Sequence, residues 1–250
     1  MGSDRITLQT ILQLGYAVYE RTHPLPDYVR RAVWAIWACR TAVLGGHVHA
    51  CPDGHVERIW YHACRHRMCP PCAWGQVERW LTQQKARLLA GEHSQVIFTI
   101  PHALNDLWLS HVAGMSRLLC ARVHATWLER LGDGTYLGAK PGVIATVHTW
   151  TQTRLLHPHL HGLVTGGGVS EAGQWLAVRH GFLWPRRVVM ALFRGKLLAA
   201  IHHGLQQGQL TPPEGKSRQQ LENLLNKLGR QQWNVRIQER YPYGQGVLVS

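Results

Sequence analysis

The stretch His157-Pro158-His159-Leu160-His161 constrains this chain more than any other. On a β-strand, residues two apart point to the same side, so His159 and His161 share one face while Leu160 turns into the core behind them. Two neutral imidazoles at that separation can grip one divalent cation, with further ligands drawn from elsewhere in the fold. A His-hydrophobic-His strand is a weak motif by itself, because any amphipathic strand alternates in this way. A third histidine at 157, a basic chain and a cysteine cluster upstream move the reading toward a metal site.

Four of the six cysteines fall within residues 51–72. The start, Met1-Gly2-Ser3-Asp4-Arg5, lacks the apolar region of a secretion signal, so a cytoplasmic location with reduced thiols is expected. Cysteines so placed argue for metal rather than disulfides. Cys69-Pro70-Pro71-Cys72 is a C-x2-C knuckle, whose tight turn brings two thiolates around one ion. Cys51 and His55, or Cys64, would complete a tetrahedral zinc site, four of these five residues binding. His47, His49 and His62 are further candidates. The competing reading, buried cysteines without a ligand, fits poorly with so many donors in some twenty residues. Such a closed site is structural and replaces a core that so small a region lacks. Arg65 and Arg67 sit between the knuckle residues, where they can meet phosphates or simply form a solvated basic face.

Charge points to the partner. Lys and Arg total 27 against 14 Asp and Glu, a formal +13 and a pI near 10.0, which suits a polyanion and nucleic acid first. Against a membrane surface, the sequence has no long uncharged apolar run and no lipidation motif. With 45% hydrophobic residues, a sizeable core can form.

Apolar periodicity predicts helices over residues 5–20, from Asp27 with Pro26 at its start, and over 73–89. A strand is expected at 56–61 and another at 95–100. One long helix is expected over 104–131, then strands at 143–150, 157–164 and 174–178. The glycines 166–168 are expected to close the histidine strand. A helix over 185–203 carries Arg186, Arg187, Arg194 and Lys196 on its outside. Ser217 and Gln220 form a capping-box pattern for the next helix, and a last strand spans 233–239. Strands with short connections pair antiparallel, and helices between strand groups pack on one face. The fold class is therefore α+β: an antiparallel, ferredoxin-like sheet over residues 93–250, preceded by a helical and zinc-binding DNA-recognition domain over 1–92. The metal would sit on the sheet face without helices. His148 or Gln152 offers a third ligand, and either can equally be a satisfied polar residue.

These residues together resemble the rolling-circle insertion-sequence transposases of the His-hydrophobic-His (HUH), two-tyrosine type. The resemblance rests on Ala38-Cys39-Arg40, Leu44-Gly45-Gly46-His47, Cys64-Arg65-His66-Arg67-Met68-Cys69-Pro70-Pro71-Cys72 and Val96-Ile97-Phe98-Thr99-Ile100-Pro101. It continues through His148-Thr149-Trp150, the histidine strand, Gly166-Gly167-Gly168 and Phe193-Arg194-Gly195-Lys196. It implies a structural zinc domain for DNA recognition, then a domain whose His159 and His161 hold Mg²⁺ or Mn²⁺. That ion would polarise a phosphodiester in single-stranded or hairpin element-end DNA while a tyrosine attacks it. Two departures stand out. Where the family shows a second C-x2-C, this chain has Cys51-Pro52-Asp53-Gly54-His55. The family's Tyr-Leu-x-x-Tyr segment is expected after Ser250, so no catalytic tyrosine is assigned here, and Tyr241 and Tyr243 read as turn residues. Protein partners implied are a second copy or a full-length transposase. The alternatives are a zinc-ribbon nucleic-acid-binding module without catalysis, and a water-using metal hydrolase. The hydrolase lacks a carboxylate base near the histidines before Glu171.

Overall fold

A computed structural model describes residues 6–151, 153, 155–178 and 185–241. Gln152 and Tyr243 lie outside the described residues, as does the side chain of Tyr241. The chain divides into two compact units after Ala86.

In the first unit, Thr7 caps α1 (Leu8–Thr22), exchanging side-chain and backbone hydrogen bonds with Thr10. Pro26 opens α2 (Asp27–Ala38), as its fixed φ favours. β1 (Gly46–Ala50) and β2 (Val56–Tyr61) form an antiparallel hairpin, and α3 (Pro70–Arg87) follows the cysteine knuckle. Neither α1 nor α3 buries a residue, and β1 is exposed along its length. The hydrophobic cluster here is small: Ile36, Cys39 and Cys69, with Leu12, Cys64 and Cys72 packed on it. A cluster in which four of six members are thiols gives little hydrophobic driving force, the setting in which a bound ion would add folding free energy.

The second unit follows the order β-α-β-β-α-β. β3 (His93–Thr99) leads into α4 (Asn105–Ser110) and α5 (Val112–Gly132). β4 (Lys140–Trp150), β5 (Leu156–Val169) and the short β6 (Trp175–Ala177) come next, then α6 (Arg186–Gln206), α7 (Arg218–Gly229) and β7 (Asn234–Tyr241). The strands lie in the order β4-β5-β3-β7, every neighbour antiparallel, with β6 on the end of β5. Leaving out β6, that is the ferredoxin-like arrangement. Alternate residues Val96, Phe98, Leu160, Val164 and Val235 face the helices and share one core with Leu119, Val123, Trp127, Phe193, Leu197, Ile201, Leu221 and Leu225. All the described helices of this unit therefore pack on one sheet face, and the odd-numbered residues of β5 look to the other. α6 is long and apolar enough to cross a membrane, but Val189, Phe193, Leu197 and Ile201 are fully buried in this core.

Two local expectations are corrected. The long helix over 104–131 is two helices, because His111 takes φ −138° and ψ 47°. Its ring is held by Thr211 at 3.0 Å. Glycines 166–168 continue β5 instead of closing it. A Cβ on Gly168 would stand 2.6 Å from the Lys140 carbonyl oxygen, and one on Gly167 would strike the Leu176 carbonyl and the Trp175 ring. The missing side chains are what let β4 and β6 approach the same segment.

Candidate metal centres

β5 places the histidines by simple alternation. Leu160 is 1% exposed in the helix-side core, so His159 and His161 must face the other way. Register supplies a third ring: His148 of β4 lies opposite His159, and Thr146 opposite His161. One ligand nitrogen from each of His148, His159 and His161 lies within 4.8 Å of the others. His148 stacks on His161 with centroids 4.3 Å apart, and His159 meets His161 at 4.9 Å. Burial, then the neighbouring His148 and His159, hold His161 down to about 4. Burial, then His159, lowers His148 as well. With their pKa values lowered in this way, His148 and His161 stay neutral near pH 7, the state that offers lone pairs to a metal.

Surrounding hydrogen bonds set the tautomers. His159 Nδ1 donates to the His157 carbonyl at 2.5 Å, which leaves Nε2 as the ligand atom. Nδ1 of His161 is 3.0 Å from the side-chain amide of the buried Gln95 on β3. The atom facing Nδ1 is the Gln95 amide nitrogen, which donates to it. Turning that amide end for end would make Nδ1 the donor and free Nε2 for a metal, the usual way outer groups orient a ligating histidine. His157 does not join the cluster. Its Nδ1 is 2.9 Å from Nε2 of His102, and burial, then His159 and His102, lowers its pKa. Sequence reading missed Gln95 and His102, whose roles come from strand pairing and from a turn far away in the chain.

The cysteine centre corrects the expected ligand set. Sγ atoms of Cys39, Cys64, Cys69 and Cys72 lie within 4.8 Å of one another, with Cys39–Cys72 at 3.5 Å and Cys64–Cys72 at 3.6 Å. Cys51 and His55 are not among them and gather with Asp53 at the hairpin tip. The reason is topological: α2 ends at Cys39 beside the knuckle, while Cys51 and His55 are carried off by the hairpin. The motif Ala38-Cys39-Arg40 was the available signal. Arg65 adopts φ 55°, a left-handed turn, and the next N–H, that of His66, points to Cys64 Sγ at 3.4 Å. Burial pushes the Cys64 and Cys69 thiols up. Burial also raises Cys72, but hydrogen bonding from Cys39, the Arg65 backbone and Cys64 outweighs it and draws this thiol down. Four thiols around one point, with a backbone N–H on sulfur, suit a closed tetrahedral zinc site. His47 and His62 meet edge-on at 4.7 Å elsewhere on the hairpin, and His49 lies on β1.

Among the expected DNA-contacting cations, Arg65, Arg67, Arg186 and Arg187 are exposed. Arg194 instead donates to the Gln231 carbonyl at 2.5 Å, and Lys196 pairs with Glu129 at 2.5 Å. Those two hold the helical layer together.

Residues 11–100 match the family described as "Transposase zinc-binding domain", and residues 142–249 match the one described as "Putative transposase". Among relatives, "Putative transposase y4qJ" of Sinorhizobium fredii (strain NBRC 101917 / NGR234) is 40% identical over 182 residues, 72% of this chain and 46% of the relative. "Transposase for insertion sequence element IS801" of Pseudomonas savastanoi pv. phaseolicola is 27% identical over 226 residues, 88% of this chain and 53% of the relative. The chain spans about half the length of these curated relatives. Among solved structures, conjugative relaxase TrwC in its metal-bound complex with oriT DNA aligns with a TM-score of 0.36 at 10% identity, over 82% of this chain and 76% of that one. TrwC with a 27-mer DNA aligns with a TM-score of 0.36 at 17% identity, over 53% and 54%. Sequence matches, fold and cysteine cluster define the class: a transposase with an N-terminal zinc-binding domain. In both matched segments the chain is similar to the IS91-type insertion-sequence transposases.

Proposed function

We propose that this chain carries the metal centre and DNA-recognition surfaces of a transposase that cuts and rejoins single-stranded element ends. The observation that supports this most directly is the group of three histidines on the sheet face away from the helices. His148, His159 and His161 would hold the ion, with Gln95 and the His157 carbonyl fixing two of the rings. Three imidazoles without a carboxylate form a borderline donor set, which favours Mn²⁺ over the harder Mg²⁺. When bound, the ion supplies Lewis-acid polarisation of a phosphate oxygen. The exposed Arg65, Arg67, Arg186 and Arg187 would hold the DNA backbone in register. A tyrosine hydroxyl is the proposed nucleophile, giving a phosphotyrosine link whose bond energy is kept for rejoining.

The test is incubation with labelled single-stranded oligonucleotides in Mn²⁺, followed by a denaturing gel. The chain alone is compared with one joined to the family's Tyr-Leu-x-x-Tyr segment. A covalent adduct from the longer chain, abolished by His159→Ala, is the expected result. An adduct from the shorter chain alone moves the attack to Tyr241 or Tyr243. DNA binding without adduct in both chains favours a zinc-ribbon binding module.

A further inference from the structure

The tip of the β1–β2 hairpin gathers donors that the four-cysteine centre leaves unused. Cys51, Asp53 and His55 each place one ligand atom within 4.8 Å of the others, and Cys51 Sγ stands 3.4 Å from His55 Nδ1. The backbone holds them there. The Cys51 N–H donates to the His55 carbonyl and the Gly54 N–H to the Cys51 carbonyl, both at 2.9 Å. Gly54 adopts φ 81°, which a side chain would resist, so glycine is what allows so tight a turn.

Among the described residues, no packing on the unit's hydrophobic cluster supports the hairpin at this end. A two-stranded ribbon is marginal in water by itself. Its base is tied down, with Arg40 N–H on the His62 carbonyl and His62 N–H on the Gly45 carbonyl, both at 3.0 Å. The unit's hydrophobic cluster includes no hairpin residue, and Val48, Val56, Ile59 and Trp60 are all exposed. An ion at the tip would close the other end.

We propose that Cys51, Asp53 and His55 form a second zinc site, separate from the four-cysteine centre and independent of the histidine centre on the sheet. A thiolate, a carboxylate and an imidazole are all donors zinc accepts, and three of them leave a fourth position open to water or an anion. All three ligands come from one turn, so the site orders only a short segment. It is weaker and more exposed than the closed centre, and it empties first.

The experiment uses the full chain with His159→Ala and His161→Ala, so that the histidine centre takes up no zinc. Metal is counted by plasma mass spectrometry after gel filtration, then released by a competing chromogenic chelator. The expected count is two zinc ions per chain, leaving in two phases, and one ion when Cys51→Ser and His55→Ala are added. In case that pair disturbs the hairpin, Asp53→Asn is measured as well. It should weaken the first phase by at least about tenfold, the least that loss of even an outer partner costs, and leave the second unmoved. A single ion in the parent chain, or two phases that Asp53→Asn does not shift, overturns the proposal. So does a variant in which both ions leave together, since Cys51 and His55 would then belong to one shared site.

Discussion

At the scale of single residues, the most exacting position in the second unit is Gly162. It faces the helices between Leu160 and Val164, and a Cβ there would stand 2.4 Å from the ring of Trp127, which is 2% exposed. A buried indole between α5 and the sheet cannot step aside, so Gly162→Ala should cost on the order of 1–3 kcal/mol in a urea titration. An unchanged midpoint would mean that Trp127 moves freely. In the first unit the deciding residue is Cys39. Cys39→Ser should release the zinc of the four-cysteine centre to a mild chelator. Cys120→Ser should not, because Cys120 is exposed on α5 and belongs to no donor group among the described residues. The sequence offered Cys64, Cys69 and Cys72 among five candidate ligands because they are close neighbours in the chain. Cys39 was present in the sequence only as part of the Ala38-Cys39-Arg40 motif, and it reaches the others through the packing of the end of α2 on the knuckle.

At the scale of elements, the histidine centre is a product of register. Alternation along β5 puts His159 and His161 on one face whatever the rest of the chain does. His148 joins them only because β4 pairs with β5 so that His148 stands opposite His159. One residue of slip would turn His148 to the helix side. Calorimetric titration with Mn²⁺ should therefore show His148→Ala losing as much affinity as His159→Ala. His157→Ala should lose less, since His157 is engaged with His102. Equal losses at 148 and 157 would argue for a different third ligand. The glycines 166–168 carry the same lesson. In isolation they read as a strand end, yet β4 and β6 both need their bare backbone.

At the scale of the whole molecule, the two units draw their stability from different sources. The second has a continuous core from the sheet to α5, α6 and α7. The first has a handful of buried residues, Ala35, Ile36, Ala38, Cys39 and Cys69, two of them thiols of the four-cysteine group. Strong chelation should abolish amide-exchange protection in α2 and the β1–β2 hairpin and leave β3, β5 and α6 protected. Loss of protection in both units at once would refute this division. The +13 charge acts at the same scale, because it bears on attraction to polyanions rather than on the fold.

The sequence by itself determined whatever depends on residues a few positions apart. That includes the facing pair His159 and His161, the C-x2-C knuckle, the capping box at Ser217 and Gln220, and the α+β order of elements. Side-chain direction along a strand, reach across a tight turn and capping geometry are all local. Only the tertiary structure decided which distant residues complete each site: Cys39 rather than Cys51 or His55 for the four-thiol centre, His148 beside the histidine pair, Gln95 behind His161. Those choices follow from strand register and from which face of each element is buried, and both are settled by packing the whole chain at once.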